Sequence, residues 1–146
     1  MKQSLVELKN NLMKGNDMIK KILLYVWQLP QNILGLLIIA LSKVKRHNYC
    51  GYWICSIMPG YGHSTYKWSA ISLGNYIISS KELSPFSIQH ERGHQVQSKY
   101  LGPLYLIAVG IPSFLRAIYK NIFNKDNYWY HSGYPENWAD NLGRHL

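Results

Sequence analysis

Residues 90–94 read His-Glu-Arg-Gly-His, and this spacing constrains the fold more tightly than any other stretch of the chain. Side chains four positions apart project from one face of an α-helix, so His90 and His94 can reach a single metal ion only if this segment is helical. Glu91 is turned about 100° around the helix from His90. From there its carboxylate can take a proton from a water held on the metal, because zinc lowers the pKa of such a water towards about 7. Residues 90–94 thus supply two ligands and a base, and a third ligand has to come from elsewhere.

Candidates for that ligand are few. The chain holds only 7 carboxylates, and those beyond the helix are Asp126, Glu136 and Asp140; His131 and His145 are the remaining downstream imidazoles. An HExxHxxGxxH arrangement would place the ligand on the same segment, but Gln97 and Tyr100 occupy those positions. The other arrangement puts a Glu on a later helix with an Asp one turn on, and Glu136-Asn137-Trp138-Ala139-Asp140 has that form. The i, i+4 spacing sets both carboxylates on one face, Glu136 towards the metal and Asp140 placed to accept the ring N–H of a ligand histidine. Either segment alone is also what a solvated surface helix looks like. Together and in this order they point to a zinc site.

The sequence HERGH followed by ENWADNLG resembles the gluzincin pattern, and its E-x-x-A-D-x-L-G part is close to the HtpX and CAAX-prenyl-protease class of membrane metallopeptidases. In that class a strand and a loop precede the zinc helix. The β-prone run Ser69-Ala70-Ile71-Ser72-Leu73-Gly74-Asn75-Tyr76-Ile77-Ile78 and a turn at 81–85 follow that order here. The chain over roughly 20–146 is also similar to a family of small bacterial membrane proteins with an HExGH helix running into Gln97-Ser98. In these, Leu101-Gly102-Pro103-Leu104-Tyr105-Leu106, Ile111-Pro112-Ser113 and a final Glu-x-Trp-Ala-Asp follow. The gluzincin resemblance implies His90, His94 and Glu136 as zinc ligands, Glu91 as catalytic base, Asp140 behind the ligands, and a peptide or protein substrate. The bacterial resemblance supplies no activity but implies a place in the inner membrane.

At 146 residues the chain is a single domain with no room for a separate recognition module. Its net charge of +9, from 16 Lys and Arg against 7 Asp and Glu, suits an anionic membrane surface or nucleic acid. No groove-reading motif is present, so a nucleic-acid partner is ranked last. Residues 22–41 form a mainly apolar stretch long enough to cross a hydrocarbon core of about 30 Å. It is flanked by Lys20 and Lys21 on one side and Lys43, Lys45 and Arg46 on the other. We read it as a membrane helix; Gln28, Pro30, Gln31 and Asn32 leave a kink, an interfacial helix pair or a buried soluble helix open. A second apolar stretch, 101–119, is broken by Pro103, Gly110 and Pro112 and reads as a kinked or re-entrant membrane segment or an ordinary core helix.

Residues 1–21 read as an amphipathic helix broken around Gly15-Asn16, with an uncleaved anchor following rather than a cleavable signal. Cys50 and Cys55 fall on opposite faces of any regular strand and read as free thiols. His63 reads as an exposed loop histidine, and Gly60-Tyr61-Gly62 lacks the helix a phosphate loop needs. An exposed strand edge at 73–78 would hold a peptide substrate beside the metal. Tyr128, Tyr130, His131 and Tyr134 are the candidates for stabilising an oxyanion.

These readings give an α+β fold: a mainly helical, minimal zincin with a short β-sheet before the zinc helix and one or two membrane-associated apolar helices. The catalytic core spans 69–140. The function expected is that of a small membrane-associated zinc metallopeptidase, with Glu91 activating a zinc-bound water. The alternative is a non-catalytic membrane protein with a structural zinc site.

Overall fold

The computed structural model describes residues 2–41, 44–49, 52–57, 70–80 and 83–146, with the backbone alone for 2–12, 44–49 and 52–57. The chain is a mostly helical α+β protein. Two helices, α1 (Lys2–Trp27) and α2 (Leu29–Leu41), lead into strands β1 (Val44–Tyr49), β2 (Tyr52–Ile57), β3 (Ala70–Leu73) and β4 (Tyr76–Ser79). Helix α3 (Pro85–Leu101) follows, then a 3₁₀ turn (Gly102–Leu104) and a π-helical turn (Leu106–Gly110). Three helices complete the order: α4 (Ile111–Ile122), α5 (Asn127–Ser132) and α6 (Glu136–Gly143). Cys50 and His63 lie outside the described residues, as does the side chain of Cys55 in β2.

The apolar stretch 22–41 is not one helix. It breaks at Gln28, and the two arms diverge by 81°. Pro30 lacks an N–H, and side-chain amides add bonds to carbonyls of the last turn of α1: Gln28 Nε2 donates to Leu24 O and Asn32 Nδ2 to Tyr25 O, each at 2.9 Å. Among the described residues no single helix is long and apolar enough to cross a membrane. The polar residues that interrupt the stretch are its docking groups. Gln31 Nε2 donates to Ser98 Oγ (2.9 Å) and Gly102 O (3.0 Å), while Ser98 Oγ donates to Gln28 Oε1 (2.8 Å), fixing α2 against the end of α3. Towards the N-terminus, α1 runs through Gly15 without the break expected there. A mid-helix glycine costs only about 1 kcal/mol, too little to interrupt a long helix.

The run 69–78 reads as one strand, but residues 70–79 form a hairpin. Gly74 takes φ +60° while Asn75 does not turn positive, the pattern of a two-residue II′ turn, and Asn32 Oδ1 accepts from Asn75 N at 2.9 Å to hold it. Strand order is β1-β2-β4-β3, with β2 and β4 parallel and the other two pairs antiparallel. The sheet is therefore larger than the short run before α3 suggested. β4 is internal, and among the described residues the free edge beside the site is β3. The exposed strand edge expected at 73–78 thus lies at Ala70–Leu73.

Both faces of the hairpin are covered, which is why Ile77 and Ile78 are consecutive and both fully buried. Ile77 packs on Ile88 of α3, while Ile78 and Leu73 pack with Ile38, Ile39 and Leu106 on the opposite face. Helix α3 starts with Ser84 as N-cap, its Oγ accepting from Ser87 N at 3.1 Å, and with Pro85 in the first turn. It stops at Gly102, whose φ of +52° no helix continues.

The second apolar stretch is likewise segmented. Pro112 cannot donate to the Ala108 carbonyl, and the Tyr134 hydroxyl does so instead at 2.6 Å.

Candidate metal centre

α3 presents His90 and His94 on the face that α6 covers. The two helices approach unusually closely because glycines stand at both crossing points. A Cβ on Gly93 would lie 1.9 Å from Ala139 O, and one on Gly143 would lie 2.2 Å from Gln89 O. That approach carries Glu136 and Asp140, on one face of α6, against the two histidines. Glu136 opens α6 in its first turn, where the helix N-terminus favours a carboxylate.

The structure brings together His90, Glu91, His94, Glu136 and Asp140, all of them buried. Glu136 Oε2 lies 3.0 Å from His90 Nε2 and 3.2 Å from His94 Nε2. These three ligand atoms fall within 4.8 Å of one another and could hold a metal ion. A tetrahedral site with bonds of about 2.0–2.1 Å would set its ligand atoms about 3.3 Å apart, so the arrangement is close to that required.

The outer ring nitrogens fix which tautomer each histidine adopts. His90 Nδ1 is 2.7 Å from Asp140 Oδ1, a carboxylate that only accepts, so Nδ1 carries the hydrogen. His94 Nδ1 is 2.7 Å from Gln97 Oε1. Gln97 is oriented in turn by its Nε2, which donates to Pro135 O at 3.1 Å. With both Nδ1 atoms donating, both Nε2 lone pairs point at a carboxylate oxygen. Three lone pairs converging in a buried space repel one another unless a cation sits among them. A proton can serve the same end: burial would lower His90, but hydrogen bonds to Asp140 and Glu136 push its pKa up to about 10. Burial alone would raise Glu136, and the hydrogen bonds from His90 and His94 outweigh it, holding the carboxyl well below its usual range. The other oxygen, Glu136 Oε1, is buried without a hydrogen-bond partner, as is Glu91 Oε2. Such orphaned acceptors fit a site built for a cation.

No family model, curated protein or solved structure matches the chain. The reading therefore rests on this geometry.

A cavity of about 360 Å³ adjoins the site, lined by His90, Glu91 and His94 on one side and by mostly apolar residues of α2, β3 and α4 on the other. It runs along the edge strand. Glu91 faces it with its pKa raised, burial outweighing the neighbouring positive charge of His94 and His90. Ser72 Oγ donates to Glu91 O at 2.8 Å and Tyr105 OH to Ser72 O at 3.0 Å, which ties strand, helix and cavity wall together.

Of the four oxyanion candidates, only Tyr130 lines the cavity. Burial, followed by the Glu136 charge, pushes its phenol above the ordinary value, so it remains a donor. Tyr128 is 83 % exposed, and the Tyr134 hydroxyl is committed to Ala108 O. His131 Nδ1 is 3.0 Å from Asp140 Oδ2, and its ring stands edge-on to His90, 4.8 Å between centroids. Asp140 is thus held by two imidazoles, which outweigh its burial and keep its carboxyl below the ordinary range.

Sequence reasoning overlooked two of these roles. Gln97 had a visible signal, since it lies one turn after His94. His131 as a second partner of Asp140 had none, because only the packing of α5 on α6 brings it there.

Proposed function

We propose that this chain is a small membrane-associated zinc metallopeptidase. The observation that carries the reading is the convergence of His90 Nε2, His94 Nε2 and Glu136 Oε2, with both Nδ1 atoms already spent on Asp140 and Gln97. Zinc bound there would supply a Lewis acid for a carbonyl and a water acidified towards neutral pH.

The chain's own residues account for the rest. The edge of β3, where Ser72 O already accepts from Tyr105 OH, borders the cavity and would align an extended peptide along it. Glu91, its pKa raised by burial, accepts a proton from the attacking water and returns it to the leaving amine. Tyr130 donates a hydrogen bond to the oxygen on which negative charge develops. Asp140 and Gln97 keep both imidazoles oriented throughout. A purely structural zinc site is closed by its ligands, whereas here the ligand histidines line an open cavity beside a buried carboxylate, which favours catalysis.

The test is zinc content of the purified protein together with peptide hydrolysis. Wild type should hold about one zinc per chain, His90→Ala and Glu136→Ala should lose it, and Glu91→Gln should keep the metal and lose hydrolysis. A Glu91→Gln variant as active as wild type would sink the peptidase reading.

A further inference from the structure

Helix α4 buries none of its residues. Ile111, Phe114, Leu115, Ile118 and Ile122 are exposed on it, and their spacing places them on one face. Its basic residues turn away: Arg116 Nε donates to Tyr130 O at 2.7 Å and its guanidinium stacks on Trp129, while Lys120 reaches Asn127. Also exposed are Leu104 and Ile107 of the preceding turns, Leu34, Leu37 and Leu41 of α2, and Leu23 and Val26 of α1. These segments adjoin: Trp27 Nε1 donates to Lys99 O at 3.0 Å, beside the 3₁₀ turn, and Ile38 and Leu106 share one core cluster.

Charge identifies what covers this surface. Every carboxylate of the chain is Glu7, Asp17, Glu82, Glu91, Asp126, Glu136 or Asp140, so the sequence from 18 to 81 and from 92 to 125 has none. Lys14, Lys20, Lys21, Lys99 and Lys125 are exposed around the apolar segments. A second copy of a chain with net charge +9 would bring like charges together. An anionic lipid surface neutralises them. The 81° bend at Gln28 suits a helix pair lying along such a surface better than one crossing it.

The cavity meets this face. Its exposed lining residues are Ile71, Phe114, Ile118 and Asn121, and two of them, Phe114 and Ile118, also belong to the apolar face of α4. We propose that α4, the turns before it and the bent α1–α2 pair lie in the interfacial zone of one anionic leaflet. The cavity mouth then opens at the lipid boundary and receives apolar peptide segments resident in the membrane. The second half of this proposal rests on the peptidase reading; the first does not.

The experiment uses the full-length chain with Cys50→Ser and Cys55→Ser and single labelling sites Leu37→Cys, Leu104→Cys or Leu115→Cys, each carrying a bimane fluorophore. Asn137→Cys and Arg144→Cys, both exposed, are the water-facing controls. The proteins are bound to phosphatidylcholine–phosphatidylglycerol vesicles that include brominated-acyl phosphatidylcholine. Labels at 37, 104 and 115 should be quenched several-fold more than those at 137 and 144, and flotation with the vesicles should weaken when phosphatidylglycerol is omitted. Quenching at 37 alone, with 104 and 115 open to iodide from water, overturns the proposal, as does failure to float.

Two versions of one apolar-flanked peptide, lipid-inserted and water-soluble, then test delivery. Preferential cleavage of the inserted form supports it, and equal cleavage overturns that half. No cleavage of either by zinc-loaded protein removes the peptidase reading and the delivery clause with it, while the membrane geometry stands or falls on the quenching alone.

Discussion

Gly93→Ala separates local helix preference from tertiary packing. In isolation the change should stabilise α3, because alanine is favoured over glycine in a helix interior by about 1 kcal/mol. The new Cβ, however, would lie 1.9 Å from the Ala139 carbonyl oxygen, whereas real Cβ contacts essentially never fall below 3.0 Å. Helix α6 would have to retreat by about 1.1 Å, and both partners are helix backbone, which cannot swing aside like a side chain. Overpacking of this kind costs about 1–3 kcal/mol, and the rigid contact puts it near the upper end. Subtracting the propensity gain leaves a net loss of about 2 kcal/mol, or roughly 4–8 °C in Tm for a chain of this size. The same retreat pulls Glu136 and Asp140 from His90 and His94, so zinc affinity should fall as well. Gly15→Ala is the control: it is also a mid-helix glycine, in α1, with nothing within 4 Å of the added methyl, and it should leave the protein unchanged or stabilise it by up to about 1 kcal/mol. Thermal unfolding with and without zinc, and a competition titration for the metal, read both effects. If Gly93→Ala matches Gly15→Ala in Tm and binds zinc like wild type, the close α3–α6 crossing is not what assembles the site.

The other predictions concern the site directly. Asp140→Asn should weaken zinc binding by about 10–100-fold, since it loosens the fixed Nδ1–H tautomer of His90; competition against a chromogenic chelator measures it. Tyr130→Phe should lower kcat by about 10²–10³ with little change in KM, because the phenol matters only as charge develops; steady-state kinetics separate the two. Zinc affinity should rise with pH, because the metal has to displace a proton that His90 holds up to a pKa of about 10. The metal-free fold should show the opposite slope: a raised folded-state pKa contributes stability that is fully present below about 6.5 and is lost as pH climbs towards about 10. Urea titrations across that window, with and without zinc, should give slopes of opposite sign.

The sequence by itself determined the local chemistry: a helix through 90–94 with two imidazoles and a carboxylate at fixed angles, and a later helix with Glu136 and Asp140 on one face. Helical periodicity decides such relations, and it acts within a few residues. The clustering of His90, His94, Glu136 and Asp140 was legible only as an expectation, since what brings α6 to α3 is the absence of side chains at Gly93 and Gly143, and an absent side chain has no periodicity to read. The hairpin at 70–79 was mistaken for one strand because burial on both faces erases the alternation that marks a half-exposed strand, leaving only Gly74 to signal the turn. The polar residues at 28, 31 and 32 looked like flaws in a membrane helix. Only the tertiary structure shows that Gln28 and Gln31 pair with Ser98 and the Gly102 carbonyl at the end of α3, and that Asn32 holds Asn75 in the β3–β4 turn. Gln97 behind His94 is a contact one turn apart on α3 that helical spacing could have shown. His131 behind Asp140 and the cavity shared by α2, β3 and α4 belong to tertiary structure alone, because each depends on how separate elements pack, and that is set by the shapes of surfaces that no single segment contains.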